Sequence, residues 1–417
     1  MTAGLAEFTP FHSLAGGLMM AASLHTLLSK LGLVLGISGF FHSTVSSTWN
    51  AITGSSRNAT PTTPSAAPSS IFPLVARYFT TGILLGGVVL GLTRSRVEAG
   101  LGVSILDDVS SSSHASLLSI VGLGALVGLG TKLGSGCTSG HFLCGLSRFS
   151  LRSLVATATF FGVAVLTHVS IASKAAVSAA AIRSSFFSHL PTTFPQPDFT
   201  TLLALQTPAL VYMTAPEMLG VADPSASSEP NKKKNQLLAA KIMSLAVGVH
   251  FSFALGISGM MRPSKVLGFL SLSPRLISSG AWDPSLAMVA IGGIIPASVA
   301  YFRHVKPKQD ELRRRSAAAS NSKKDAKVDA QLQPALSLVA PEWRTPANPS
   351  KIDVKLVVGS VLFGLGWGAT GLCPGPALAS LSSLATQAFT QGSFAGVTDI
   401  LAFVAAMAVG GQVAGLL

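Results

Sequence analysis

Across 417 residues the chain is 48% hydrophobic and only 11% charged, with a formal net charge of +13. Soluble domains usually hold about 25% charged residues; here the apolar content is mostly aliphatic and accompanied by 41 glycines, which excludes an ordinary soluble domain and indicates a polytopic α-helical membrane protein. Nucleic-acid binding is not indicated, because the basic residues fall in polar loops without interleaved aromatics, and three cysteines make no disulfide framework.

Met1 to Pro10 lacks a basic stretch followed by a short apolar core, so no cleavable signal peptide is expected. The first apolar stretch, residues 12–42, is broken by Gly16, Gly17, Gly32, Gly36 and Gly39. It predicts either two half-helices or one long tilted span, acting as an internal anchor. The Ser/Thr/Pro-rich loop over 43–70 contains the sequon Asn58-Ala59-Thr60, a pattern frequent by chance. Spans are predicted next at 72–93, 115–133 and 151–171, near the length of about 20 residues that a bilayer demands. Residues 172–236, Pro-rich at the centre and ending near Lys232, Lys233 and Lys234, read as a linker. Further spans are predicted at 237–260, 284–302, 353–370 and 393–416. Among these, residues 303–352 are strongly charged and predict a disordered basic loop, facing the cytoplasm by the positive-inside rule.

The chain repeats itself. "LGISGFFHS" at 35–43 returns as "LGISGMMRPS" at 255–264. The glycine-rich "GLGALVGLGTKLGSGC" and "GSVLFGLGWGATGLC" both end at a cysteine, Cys137 and Cys373, and each is followed by one more span. The same elements recur in the same order, so the expected fold is all-α and polytopic, with two related halves. Residues 1–171 form the first repeat, 172–236 the inter-repeat linker and 237–417 the second repeat, which contains the basic loop. Duplication of this kind is common in transporters, with the substrate site where the halves meet.

Gly134, Gly136, Gly371, Pro374, Gly375 and Pro376 cannot continue a regular helix, and broken backbone at membrane depth must be buried or line a cavity. Each cysteine is therefore placed in a discontinuity before a short helix, "HFLCGLSR" or "ALASLSS", with Pro376 suited to a first helical position. The N-terminus of such a half-helix favours an anion, and a thiol adds a soft sulfur and a weak donor. The candidate substrate-binding residues are Gly136, Cys137, Thr138, Ser139, Gly140, His141 and Cys144 in the first repeat, and Gly371, Cys373, Pro374 and Gly375 in the second. Lys132 and Arg148 flank the first loop and are placed to attract an anion to its mouth. His42 and Arg262 follow the repeated turns.

Other readings compete. Cys137, His141 and Cys144 fall at i, i+4 and i+7, one face of an α-helix, and suit zinc or copper. The duplicated bundle could be a scaffold that transports nothing, the cysteines could be small packing residues, or a cysteine could carry a persulfide in a sulfur-atom transferase. No Ser-His-Asp set, P-loop or carboxylate pair is present, so no enzymatic activity, cofactor or resident metal is expected.

"GLGTKLGSGCTSGHFLCGLSRFSLRSLVATATF" resembles the signature of the YeeE/YedE sulfur-transport family of membrane proteins. "LGISGMMRPSKVLGFL", "WDPSLAMVAIGG" and "LFGLGWGATGLCPGPALASL" resemble its half-length members, so that both halves stand in one chain. The resemblance covers most of 72–171 and 238–417. It implies uptake of thiosulfate or a related sulfur anion through a Cys-lined constriction, with Cys137 and Cys373 passing the substrate along by S–H contacts. Full-length bacterial members carry a further Cys near the first span, which this chain lacks; Cys144 is the candidate substitute. The partners implied are a small sulfur anion, the lipid bilayer and, as a candidate, a small sulfur-carrier protein. The expected location is an integral, multi-pass one, with the plasma membrane favoured.

Overall fold

The structure is a computed structural model that describes residues 8–54, 71–107, 116–175, 194–221, 229–318, 332–345, 352–392, 394 and 396–416. The Asn58 sequon and the first seven residues lie outside these. Among the described residues the regular structure is helical, and seven helices are long and apolar enough to cross a membrane, or eight counting one bent pair. The chain is a multi-pass membrane protein.

The first apolar stretch is two helices, α1 (Pro10–Leu31) and α2 (Ile37–Thr53), because Gly32 ends α1 in the left-handed conformation, φ 64°. Then come α3 (Phe72–Leu92), α4 (Arg94–Leu101) and α5 (Leu117–Leu133). A π-helix, Thr138–Gly145, is bent 43° from α5 across the Cys137 turn and is followed by α6 (Leu151–Ala175). Residues 172–236 contribute α7 (Phe199–Leu205), α8 (Thr207–Met218) and the start of α9 (Glu229–Ile257). Two short helices, α10 (Pro263–Leu270) and α11 (Pro274–Ser278), precede α12 (Ala287–Ala300) and α13 (Lys306–Ala318). The chain closes with α14 (Val354–Thr370), α15 (Pro374–Gln391) and α16 (Val397–Ala414).

Small residues let these helices approach closely, and the points of contact fix their directions. Gly82 and Gly86 of α3 lie against Leu245 and Ser252 of α9, so those two run parallel. Gly17 of α1 lies against Val289, and the His25 ring is 5.6 Å from that of His304, just past α12, so α1 and α12 are parallel. Gly364 and Gly368 of α14 meet Phe160 and Ala164 of α6, and Gly124 and Gly128 of α5 meet Phe403 and Met407 of α16; both pairs are parallel. By contrast α1 and α9 are antiparallel, with Gly16 against Ala254 and Ser23 bonded to His250. The helices α5 and α14 are antiparallel as well, with Gly130 against Phe363 and Gly366 against Leu123.

The long pairings are crossed: α1 with α12 and α9 with α3, α5 with α16 and α14 with α6. Each half therefore packs mainly on the other. In addition, the corresponding helices of the two repeats (α1 and α9, α3 and α12, α5 and α14, α6 and α16) run in opposite directions, so the repeats are inverted. Four crossings per half, made by these helices, would return the chain to its starting side. The segment read as a linker corrects the parity. The α7–α8 pair runs antiparallel along α9, from Gln206 and Tyr212 beside His250 to Leu219 beside Asn235. It starts beside Gly100, at the far end of α3, through the Asp198 N–H bonded to the Gly100 carbonyl.

The basic loop also differs from expectation in part. Residues 306–318 are helical, with Lys306–Asp310 and Glu311–Arg315 ion pairs one turn apart, a spacing that supports an exposed helix. Residues 332–345 dock on the end of α1: the Ala335, Leu336 and Arg344 N–H groups donate to the carbonyls of Ser29, Lys30 and Gly32, and Leu336 is fully buried. Residues 319–331 and 346–351 lie outside the described set.

Lys30, Arg148, Arg152, Lys232–Lys234, Arg303 and Lys355 belong to this end of the bundle, by the contacts of residues 332–345 with Lys30, Gln236 and the Arg148–Arg152 chamber, of Arg152 with Asp353 and of His25 with His304. The charges at the opposite end are largely paired, Arg94 with Glu98, Arg262 with Asp107 and the buried Lys265 with Asp283. The basic end is therefore the expected cytoplasmic face. Single cysteines test the topology, because the three native ones are buried. An impermeant maleimide applied to intact cells should label Arg275→Cys and should label Arg314→Cys only after permeabilisation. Labelling of Arg314→Cys in intact cells would reverse the orientation.

Candidate functional site

Both cysteines are N-caps in extended backbone, Cys137 at φ −130°, ψ −164° and Cys373 at φ −124°, ψ 170°. The chain thus repeats the same backbone turn at matching places in the two halves. The helices that the two turns open are different. The first turn leads into the short π-helix. The second leads into α15, which has 18 residues and starts at Pro374 rather than Pro376, so "ALASLSS" belongs to a long helix.

The two turns meet. Thr138 Oγ1 donates to Cys373 Sγ at 3.6 Å, joining the halves, and Cys137 Sγ lies 3.3 Å from Ser139 Oγ. Ser139 Oγ also accepts from the Ile37 N–H at 3.1 Å. At a usual N-cap a Ser, Thr, Asp or Asn oxygen accepts from the first turn; neither cysteine makes such a bond. Pro374 and Pro376 have no N–H to offer, so Gly375 carries the one backbone N–H among the first three residues of α15.

Cys137, Thr138, Ser139, Cys373 and Gly375 line an inner cavity of about 20 Å³, together with Pro376 and apolar side chains that include Met20, Ile37, Phe251 and Met260. That volume holds about one water. Gly136, Gly140 and His141 instead line a second, open chamber of about 720 Å³ on the basic face, with Gly36, Arg148, Arg152 and Arg344. Neighbours in sequence face opposite ways: Gly36, Gly136 and Gly140 outward, and Ile37, Cys137 and Ser139 inward. The wall between the compartments is one residue thick.

Three expected site residues lie elsewhere. Cys144 lines neither compartment; it is buried beside the Leu35 backbone and Arg148. Gly371 caps α14 at φ 70° against Pro263. Pro374 contributes the first turn of α15 but is not part of the cavity lining. Sequence reasoning missed Ile37 and Met260 as inner-cavity residues, although Ile37 lies within the first LGISG turn and Met260 directly follows the second, so the repeated turns were the signal that could have found them.

The metal set does not assemble. No group of three metal-ligating side chains converges among the described residues. An i, i+4, i+7 face requires an α-helix, whereas the segment is π-helical with wider turns. His141 is also fully occupied. The Gly134 carbonyl can only accept, so His141 Nε2–H donates to it at 2.9 Å, and Nδ1 then accepts from Ser153 Oγ at 3.2 Å.

A family model described as a family of unknown function (DUF6691) matches residues 239–324 and 327–417. A protein of Xylella fastidiosa strain Temecula1 described as a "Probable transporter" is 35% identical over 171 residues, 40% of this chain and 83% of that protein. Its counterpart in strain 9a5c, with the same description, is 35% identical over 171 residues, 40% of this chain and 84% of the counterpart. The chain belongs to their family. These relatives are about half its length, which suits a chain built of two related halves. No solved structure matches it.

The His141 clamp makes a prediction. His141→Ala leaves a buried carbonyl and a buried hydroxyl unpaired, at a cost of about 1–3 kcal/mol for each group. Its thermal midpoint in detergent should fall, and zinc should leave the unmodified protein's midpoint unchanged. A zinc-dependent rise that is lost in His141→Ala would restore the metal site.

Proposed function

We propose that this chain is a membrane transporter for thiosulfate or a closely related sulfur anion, which passes between Cys137 and Cys373. The observation that carries the reading is the meeting of these two thiols, one from each inverted half, at one small cavity behind a one-residue wall. The "Probable transporter" description of the relatives supports transport. The resemblance to YeeE/YedE proteins supports the substrate class.

The chemistry of the lining agrees. A buried Lys or Arg at this depth would be costly and would hold an anion too firmly to release it. Here the lining offers hydroxyls, thiols and the Gly375 N–H, weak contacts that can be exchanged in series. The cavity is too small for the anion, so the Ile37–Ser139 and Thr138–Cys373 contacts must part as it passes.

Cys137→Ala and Cys373→Ala should each remove most thiosulfate uptake from cells deficient in sulfur uptake, with the protein still present in the membrane. Serine should rescue in part, since it keeps a donor but not the polarisable sulfur. Cys144→Ala should be milder, because Cys144 lies outside the cavity. Uptake at the unmodified rate in both alanine variants would make the cysteines packing residues.

A further inference from the structure

The geometry points to a second anion site, in the outer chamber, part of whose wall is supplied by residues 342–345 of the docked loop segment. The segment is built into the fold at this place. Arg344 pairs with Leu33 in a short parallel bridge, and its N–H donates to the Gly32 carbonyl at 2.7 Å. Gly32 is left-handed, and a Cβ there would lie 2.8 Å from the Pro334 ring. Trp343 Nε1–H closes the segment on itself by donating to the Leu332 carbonyl at 3.0 Å.

The chamber is equipped for a charged guest. Arg148 and Arg152, four residues apart around the start of α6, line it together with Arg344 of the docked segment; Arg152 is also paired to Asp353 at 3.0 Å, and Glu342 is the one carboxylate in the described lining. Ser38 supplies the independent observation. It lines the chamber and is fully buried, and its hydroxyl has no hydrogen-bond partner among the described residues. A buried donor left unpaired is costly unless a ligand or water meets it. Guanidinium groups and a hydroxyl together suit a divalent tetrahedral oxyanion. No thiol is part of the described lining of this chamber, so it should not distinguish sulfate from thiosulfate. The site extends the transport reading, placing selection between the two anions at the cysteines, but it stands without that reading.

Equilibrium binding of radiolabelled sulfate to the purified full chain in detergent tests the site. Binding should be saturable and competed by thiosulfate. It should weaken about tenfold in Arg344→Gln and in Ser38→Ala, the loss expected for one charge-assisted contact, and persist in Cys373→Ala. No saturable binding to the unmodified chain, or equal affinity in an Arg148→Gln/Arg344→Gln double variant, overturns the proposal. Sulfate binding as described with normal uptake by Cys373→Ala would keep the chamber and reject the cysteine reading. Absent sulfate binding with abolished uptake by Cys373→Ala would do the reverse.

Discussion

Backbone that leaves a helix inside a bilayer has no water to bond, so it must be buried in protein. Both cysteine turns are such backbone, and the rest of the architecture serves to cover them. The crossed pairing of helices puts each turn under the opposite half. Glycines at the α5–α14 crossing let Gly134 and Gly359 approach closely beside the Cys137 turn. His141 then meets the Gly134 carbonyl that the break leaves behind, and Ser153 holds the His141 ring from its other nitrogen. The thiols sit at the meeting point because that is where irregular backbone is tolerated.

Inversion of the repeats is what makes two such turns converge. A second copy inserted in the same direction would place its cysteine turn at the same depth from the same face, facing the same way. The α7–α8 pair supplies the additional traverse, held by a buried polar cluster in which His250 contacts Ser23, Tyr212 and Gln206. A segment that carries no recognisable motif therefore decides the relation between the two that do.

Charge is distributed in a matching way. The inner cavity is lined without Lys or Arg, while Arg148, Arg152 and Arg344 line the outer chamber. Keeping fixed charge out of the inner cavity leaves only weak donors beside the thiols, which avoids a deep trap there.

The fold class, the positions of the long spans and the paired cysteine turns were all legible in the amino-acid sequence. These depend on local quantities: apolar length set by bilayer thickness, and Gly and Pro that cannot continue a helix. Other features emerged only from tertiary packing. Whether residues 172–236 link or cross depended on the packing of α7–α8 against α9, since neither helix is long enough to declare itself. The apparent metal face of Cys137, His141 and Cys144 vanished because the segment winds as a π-helix and His141 serves the Gly134 carbonyl. The division of Gly136 from Cys137, one facing the outer chamber and the other the inner cavity, depends on which side of a one-residue wall each meets. That is fixed by contacts with Gly36 and Ile37, about 100 residues away in the chain, and no local pattern encodes a contact at that separation.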